Sequence, residues 1–273
     1  MNSNGDVSNN YVSNDKKIRK MILGLGKTGL SCARYFSSLG VPFSVMDAKS
    51  QPGLLSQLRR LDPEVSFSQL EEDTRFSPQE IDELIVSPGI PLSTRSIQQA
   101  ISDGIGVNGD VNIFLKQTVV PVVGITGSNG KSTVTALLGE ILENAGFKVG
   151  VGGNIGTPCL DLIDLDCDIY VLELSSYQLE TIADAKCELA TVLNLSPDHL
   201  DRYESDTDYY RTKASIYSNA NIAVKNASWV PENPSQFVKK IHAKSAPKGF
   251  IPHILELVNI NMPIFLEKPT NFL

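Results

Sequence analysis

Apolar and polar positions along this chain fall into a repeating rhythm. KMILGLG (20–26) is a short apolar run that ends on glycines, and a helical stretch from Thr28 to Leu39 follows it. PFSVMD (42–47), a helical stretch from Leu54 to Leu61 and DELIVSPG (82–89) continue the pattern. Short apolar runs separated by helical stretches predict βαβ units, and hence a parallel sheet covered by helices. Near Asn108-Gly109-Asp110 a second unit begins, because VVPVVGITG (119–127) is again a buried-strand run that opens a helix. In that helix Val134, Leu137, Leu138, Ile141 and Ala145 fall at helical spacing, which predicts one face packed on the sheet. FKVGVGG (147–153), DIYVLEL (168–174) and ELATVLNL (188–195) read as further strands ending in polar loops, the edge at which open α/β sheets place their ligands.

The rhythm divides the chain into a flexible lead (1–16), a first α/β domain (17–109), a second (110–225) and a divergent tail (226–273). The lead is rich in Asn and Ser and has few apolar anchors, a composition that rarely orders. The tail is interrupted by proline and carries no βαβ rhythm, so a poorly ordered segment is expected there.

Composition narrows the function. Of 273 residues, 41% are hydrophobic and 20% charged, enough to bury cores in about two domains. A net charge of −7 argues against a general nucleic-acid binder, which needs excess Lys and Arg to neutralise phosphates. No apolar run approaches the roughly 20 residues of a membrane helix, and the start lacks a secretory signal, so a cytoplasmic protein with no membrane association is expected. A monomer is expected. Cys32, Cys159, Cys167 and Cys187 form no C-x-x-C pair and read as reduced, small apolar fillers.

Two glycine-rich turns carry candidate chemistry. Gly24-Leu25-Gly26-Lys27-Thr28-Gly29 follows a strand and opens a helix, and Asp47 ends the next strand. This spacing fits a dinucleotide fingerprint, with the acid on a ribose hydroxyl, and fits equally a plain βα corner. The second turn, Gly127-Ser128-Asn129-Gly130-Lys131-Ser132-Thr133, misses the strict G-x-x-x-x-G-K-[ST] pattern because position 125 is Ile125. Its glycines still turn backbone N–H groups inward at a helix N-terminus, where anions are stabilised. Lys131 then suits the β- and γ-phosphates of a nucleoside triphosphate, and the hydroxyls of Ser132 and Thr133 lie beside it. Glu173 ends the strand DIYVLE, and the loop after the following strand offers Asp198, His199 and Asp201. A carboxylate and an imidazole at two consecutive strand ends make a divalent-cation site, with His199 as the sharper candidate ligand; a strand-end carboxylate and a helix cap are the plainer readings.

GSNGKST (127–133), GGNIG (152–156), LELSSYQLE (172–180), NLSPDHLDRY (194–203) and YRTKASIY (210–217) occur in that order. With them the chain resembles the Mur ligases, from about Ile18 to about Ala223. ELSSYQLE and GVGGNIG favour the branch that joins D-glutamate to UDP-N-acetylmuramoyl-L-alanine in peptidoglycan synthesis. The resemblance implies a Rossmann-like domain for the uridine nucleotide, followed by an incomplete P-loop-type central ATPase domain of a three-domain ligase. It implies ATP and Mg²⁺ as cofactors, and a substrate carboxylate phosphorylated before the amine attacks.

By the same resemblance Lys131 and the amides of residues 127–133 clamp phosphate, while Ser132, Glu173 and His199 hold Mg²⁺. Lys213 matches a lysine that is carbamylated in this family and then reaches the metal; Lys131, Glu173, His199 and Lys213 are thus the implied catalytic set. Gly26, Lys27, Thr28, Gly29, Asp47, Ser87, Pro88 and Gly89 would meet the uridine nucleotide, and Asn154 and Ser175 the rest of the substrate. Ala48-Lys49 departs from the Thr-Arg usual in the family, and Lys27 replaces a more usual apolar residue. The resemblance ends near Lys225, so the rest of the central domain and the C-terminal ligase domain are expected to be absent and the chain inactive alone. The other readings are a non-catalytic nucleotide-binding remnant and an NAD-dependent oxidoreductase. The latter leaves residues 127–133 without a role.

Overall fold

A computed structural model of the protein describes residues 19–182, 186–199 and 201–225. The lead 1–16 and the tail 226–273 lie outside the described residues. The described residues form two compact units, one of residues 19–117, 158–163 and 180–182 and one of 118–157, 164–179, 186–199 and 201–225.

In the first unit β1 (Lys20–Leu23), α1 (Lys27–Ser38), β2 (Phe43–Asp47), α2 (Leu55–Leu61), β3 (Ser66–Gln69), β4 (Glu83–Val86), α3 (Arg95–Ser102), β5 (Gly106–Asn108) and α4 (Asp110–Gln117) follow in order. The strands form one parallel sheet in the order β3-β2-β1-β4-β5. All four residues of β1 are buried, which is why KMIL is continuously apolar apart from the lysine ammonium. The Lys20 ammonium is buried and pairs with Glu83, whose other oxygen accepts the Asn108 side-chain amide at 3.0 Å. Met21, Leu23, Leu84, Val86, Ile97, Ala100 and Ile105 fill one side of the sheet. The order reverses between β1 and β4, so the ends of these two strands open the crevice where such sheets bind ligands.

The second unit contains β6 (Val122–Thr126), α5 (Lys131–Asn144), β7 (Val149–Gly153), β8 (Ile169–Glu173), α6 (Ser176–Leu179), β9 (Cys187–Val192), α7 (Asp206–Ala214) and β10 (Ala220–Lys225). Its sheet is also parallel, in the order β10-β9-β6-β8-β7. The first strand, β6, lies between β8 and β9, in register Ile125↔Glu173 on one side and Thr126↔Val192 on the other. Val123, Ile125, Leu142, Ile169, Val171 and Leu189 form the core. Among the described residues no helix is long and apolar enough to cross a membrane.

The inward face of α5 differs from the one its apolar letters predict. Thr135, Gly139 and Leu142 are buried, with Val134 and Leu138 packed against the core, whereas Leu137 is 53% exposed and Ala145 is exposed. The reason is Gly139, where an added Cβ would press on the Val151 side chain. A glycine there lets helix and strand approach, and the stripe of closest contact follows it.

Gly29 has the same role in the first unit. An added Cβ would overlap the Gly24 carbonyl oxygen, whereas at Gly26 it would meet no heavy atom within 4 Å. Gly29→Ala is therefore expected to destabilise the chain by about 3 kcal/mol and Gly26→Ala by less than about 1 kcal/mol. Urea unfolding of the two variants checks the difference.

Candidate functional site

The loop between β6 and α5 is built to present main-chain donors. Gly127 has φ +156° and Gly130 φ +76°, the latter a left-handed residue directly before the first helical turn. A side chain at Gly127 would press on Leu193 and Asn194. The loop is strapped to the segment after β9. Ser128 N–H donates to the Asn194 carbonyl at 3.0 Å, Asn129 N–H to Asn194 Oδ1 at 2.9 Å, and Asn194 Nδ2 back to the Asn129 carbonyl at 2.9 Å. Asn129 Nδ2 reaches Ser196 Oγ at 3.2 Å. The Lys131 ammonium folds over the loop and donates to the carbonyls of Gly127 (2.9 Å) and Ser128 (3.1 Å), while Ser132 and Thr133 are exposed at the helix start.

Glu173 ends β8 beside this loop and is 1% exposed. Its Oε1 accepts Asn154 Nδ2 at 2.7 Å; its Oε2 is buried with no hydrogen-bond partner. An unpaired carboxylate oxygen in a protein interior costs free energy that a cation would recover. Asn154 is thus first a holder of Glu173: its own N–H also donates to the Glu173 carbonyl at 2.8 Å, and the left-handed Gly153 (φ +103°) permits this close approach.

On the other flank of β6, His199 follows β9 with φ +55°, the only positive φ of a non-glycine among the described residues. Its N–H donates to Asp198 Oδ1 at 2.9 Å, and Nε2 lies 3.6 Å from Asp198 Oδ2. The left-handed region costs a non-glycine residue about 1 kcal/mol or more and collects at functional sites. Asp201 is exposed.

Lys213, on α7, is 1% exposed, with Nζ 3.4 Å from Thr126 Oγ1 and 4.8 Å from the Tyr209 ring centroid. Burial, then the positive charge of Lys131, pull its amine from 10.5 down to about 7; Asp198 and Glu173 pull the other way. A large fraction of this amine is therefore neutral near pH 7, and Lys131, Asp198 and Glu173 all lie within its electrostatic reach. The arrangement brings Lys131, Glu173 and Lys213 to one strand-end edge, with the Asp198-His199 segment beside them. Among the described residues no group of three or more His, Cys, Asp and Glu is placed to hold a metal ion. The candidate set Ser132, Glu173, His199 and Lys213 has only one carboxylate and one imidazole. It fits a cation through the orphaned Glu173 oxygen, with phosphate or a modified lysine as the remaining donors.

Ser175 is engaged locally. Its Oγ accepts Gln178 N–H at 3.2 Å and its N–H donates to Gln178 Oε1 at 3.1 Å, a reciprocal cap at the start of α6 that S-x-x-Q announces in the sequence.

In the first unit Gly24 is left-handed (φ +90°), its N–H donates to the Met46 carbonyl at 2.7 Å, and its own carbonyl accepts Ser87 Oγ at 2.8 Å. Gly26 precedes α1, and Lys27 and Gly89 are exposed next to half-buried Thr28 and Pro88. The Asp47 carboxylate holds the loop together: Oδ2 accepts Leu25 N–H at 2.7 Å and Oδ1 accepts Lys49 N–H at 2.8 Å. Ala48 and Lys49 are exposed beside it.

Asn194, Ser196 and Tyr209 escaped the sequence reading. NLSP and DYYRTK give no local sign that side chains 65 or more residues away clasp the Gly127–Thr133 loop.

Residues 18–109 match the profile of the Mur ligase MurD-like N-terminal domain, and residues 125–248 that of the Mur ligase middle domain, which runs past the position near 225 where the sequence resemblance fades. A UDP-N-acetylmuramoylalanine–D-glutamate ligase of Pseudomonas putida is 46% identical over 207 residues, 76% of this chain and 46% of the relative. The ligase of that name from Haemophilus influenzae is 46% identical over 205 residues, 75% of this chain and 46% of the relative. The chain thus spans about half the length of these relatives. Among solved structures, the UDP-N-acetylmuramate:L-alanyl-gamma-D-glutamyl-meso-diaminopimelate ligase of Neisseria meningitides shares the fold at a TM-score of 0.51 and 17% identity, over 78% of this chain and 72% of that one.

The depressed Lys213 pKa fixes a pH dependence. Between pH 7 and 10.5 the unfolded chain binds more protons at this residue than the folded one, so this contribution to stability rises with pH across the window and the penalty is complete below about 7. Lys213→Met should therefore stabilise the fold by on the order of 3–5 kcal/mol at pH 6–7, with the gain shrinking towards pH 10. Urea midpoints of both proteins across that range check it.

Proposed function

The chain belongs to the Mur ligase family, and on that footing we propose that it binds ATP at the Gly127–Thr133 loop and a uridine diphosphate–muramoyl substrate at the end of β1. The reaction proposed for the whole ligase joins D-glutamate to UDP-N-acetylmuramoyl-L-alanine. The substrate carboxylate attacks the γ-phosphorus and ADP leaves. The D-glutamate amine then attacks the acyl carbon, phosphate departs, and the amine loses its proton.

The observation that carries this reading is Glu173, a buried carboxylate with one bare oxygen, held by Asn154 against the strand that opens into Lys131. Lys131, once it swings off the Gly127 and Ser128 carbonyls, places an ammonium on the β- and γ-phosphates, and the first-turn amides of Lys131, Ser132 and Thr133 take the remaining oxygens. Mg²⁺ would be held by Glu173, His199, Ser132 and a carbamylated Lys213, and supplies positive charge against the triphosphate. Lys213 suits that modification because its neutral amine can add CO₂, forming an N–C bond and releasing a proton. In the first unit the amides around Gly26 to Gly29 and the Ser87-Pro88-Gly89 turn line the crevice for the uridine nucleotide. Asp47, with both oxygens on loop amides, supports the turn. An oxidoreductase would need Asp47 for a ribose and would leave Lys131 and Glu173 without a task.

Calorimetric titration separates the two sites. The chain should bind ADP in a Mg²⁺-dependent manner and UDP-N-acetylmuramoyl-L-alanine independently of ADP. Lys131→Ala should weaken ADP by about 30-fold, Glu173→Gln should abolish the Mg²⁺ dependence, and neither should change the UDP-sugar affinity. A chain that binds no ADP with or without Mg²⁺ refutes the proposal.

A further inference from the structure

Tyr209 is among the largest fully buried side chains, at 1% exposure, and it touches candidate groups from three different elements. Its hydroxyl lies 3.1 Å from Ser128 Oγ in the phosphate loop. Its ring face lies 4.8 Å from Lys213 Nζ, one helical turn along α7, and its ring meets His199 edge-on at 5.9 Å.

The hydrogen-bond inventory fixes the direction of the Ser128 contact. A serine hydroxyl has one proton and two lone pairs. Ser128 Oγ lies 3.0 Å from the Ser196 carbonyl, which only accepts, and receives Ser196 N–H at 3.0 Å. Its proton is thus committed to Ser196, and Tyr209 must donate to the remaining lone pair. Ser128 is then fully satisfied, with the loop, the segment after β9 and α7 meeting at one atom. A phenylalanine would fill the same volume and leave that lone pair empty, so the hydroxyl does something packing does not.

We propose that Tyr209 is a positioning residue for nucleotide binding: through Ser128 it holds the phosphate loop in register with the helix that carries Lys213. The proposal rests on the loop's being a nucleotide site. The hydroxyl sets the loop, and the ring keeps Lys213 and His199 at their spacing. Loss of the hydroxyl leaves the core packed and lets residues 127–130 relax, so affinity for the β-phosphate falls while the fold survives.

The test is a double-mutant cycle on Mg²⁺-ADP affinity, measured by titration of the full chain with thermal unfolding alongside. Tyr209→Phe and Ser128→Ala should each weaken ADP about fivefold, and the double variant should be no weaker than the worse single one. Tyr210→Phe, which alters the neighbouring ring 5.8 Å away, should bind as the parent does. Additive losses in the double variant, or a Tyr209→Phe protein that binds ADP like the parent, overturn the proposal. A Tyr209→Phe protein whose unfolding temperature falls while its ADP affinity holds likewise makes the residue merely structural. If the parent itself binds no ADP, the nucleotide reading fails and this inference falls with it, an outcome distinct from parent-like binding by the variant.

Discussion

The site in the second unit depends on one constraint, the register of β6 between β8 and β9. Parallel strands hydrogen-bonded side by side must end at the same edge, and the pairing Ile125↔Glu173 and Thr126↔Val192 fixes which residues arrive there together. The Gly127–Thr133 loop leaves β6 at that edge, Glu173 closes β8 beside it, and the Asn194-to-His199 segment leaves β9 on the other flank. A slip of one residue would turn Glu173 to the opposite face of the sheet. Because β6 and β8 are buried along their whole length, the core enforces that register and so enforces the chemistry at the strand ends.

Register brings the groups near; side-chain bonds then hold them still. The reciprocal Asn129–Asn194 amides and the Ser128–Ser196–Tyr209 node fasten a glycine-containing loop whose backbone would otherwise sample many conformations. Asn154 does the same for Glu173, gripping side chain and backbone together. In the first unit Asp47 and Ser87 tie down the Gly24 turn from the two neighbouring strands. Both crevices therefore follow one design, in which glycines give the loop its shape and polar side chains from flanking strands remove its freedom.

Much of this was legible in the sequence for a physical reason. Strands buried on both faces are continuous apolar runs, and the turns after β1 and β6 need glycine, so KMIL, VVGIT and IYVLE announced themselves. Strands such as Ser66–Gln69 and Gly106–Asn108 are short, polar and at the sheet edge, and carry no such signal. The face of α5 was legible only in part: Val134 and Leu138 pack on the core as their spacing predicts, but the closest contact runs through Gly139, which an inventory of apolar letters omits. Lys131, Glu173 and His199 stood out because charged or polar groups at strand ends are locally anomalous. Tyr209 did not, since a tyrosine in a helix is unremarkable until the fold places Ser128 beside its hydroxyl, 81 residues away in sequence.

Three costly features of the second unit lie along one edge of its sheet. Glu173 keeps a bare buried oxygen, Lys213 is an amine driven towards neutrality by burial, and His199 occupies a backbone region that suits glycine. Each opposes folding by about 1 kcal/mol or more, and a fold under selection for stability alone would replace all three with apolar or glycine residues. Glu173 and Lys213 also partly answer each other, because the carboxylate favours a protonated amine that burial disfavours. The Glu173 Oε2 oxygen nonetheless keeps no hydrogen-bond partner among the described residues. A divalent cation would supply the partner that the bare Glu173 oxygen lacks, and the phosphate that accompanies it would fall to Lys131. The cost carried at this edge of the sheet is thus of the kind that the proposed ligand would relieve.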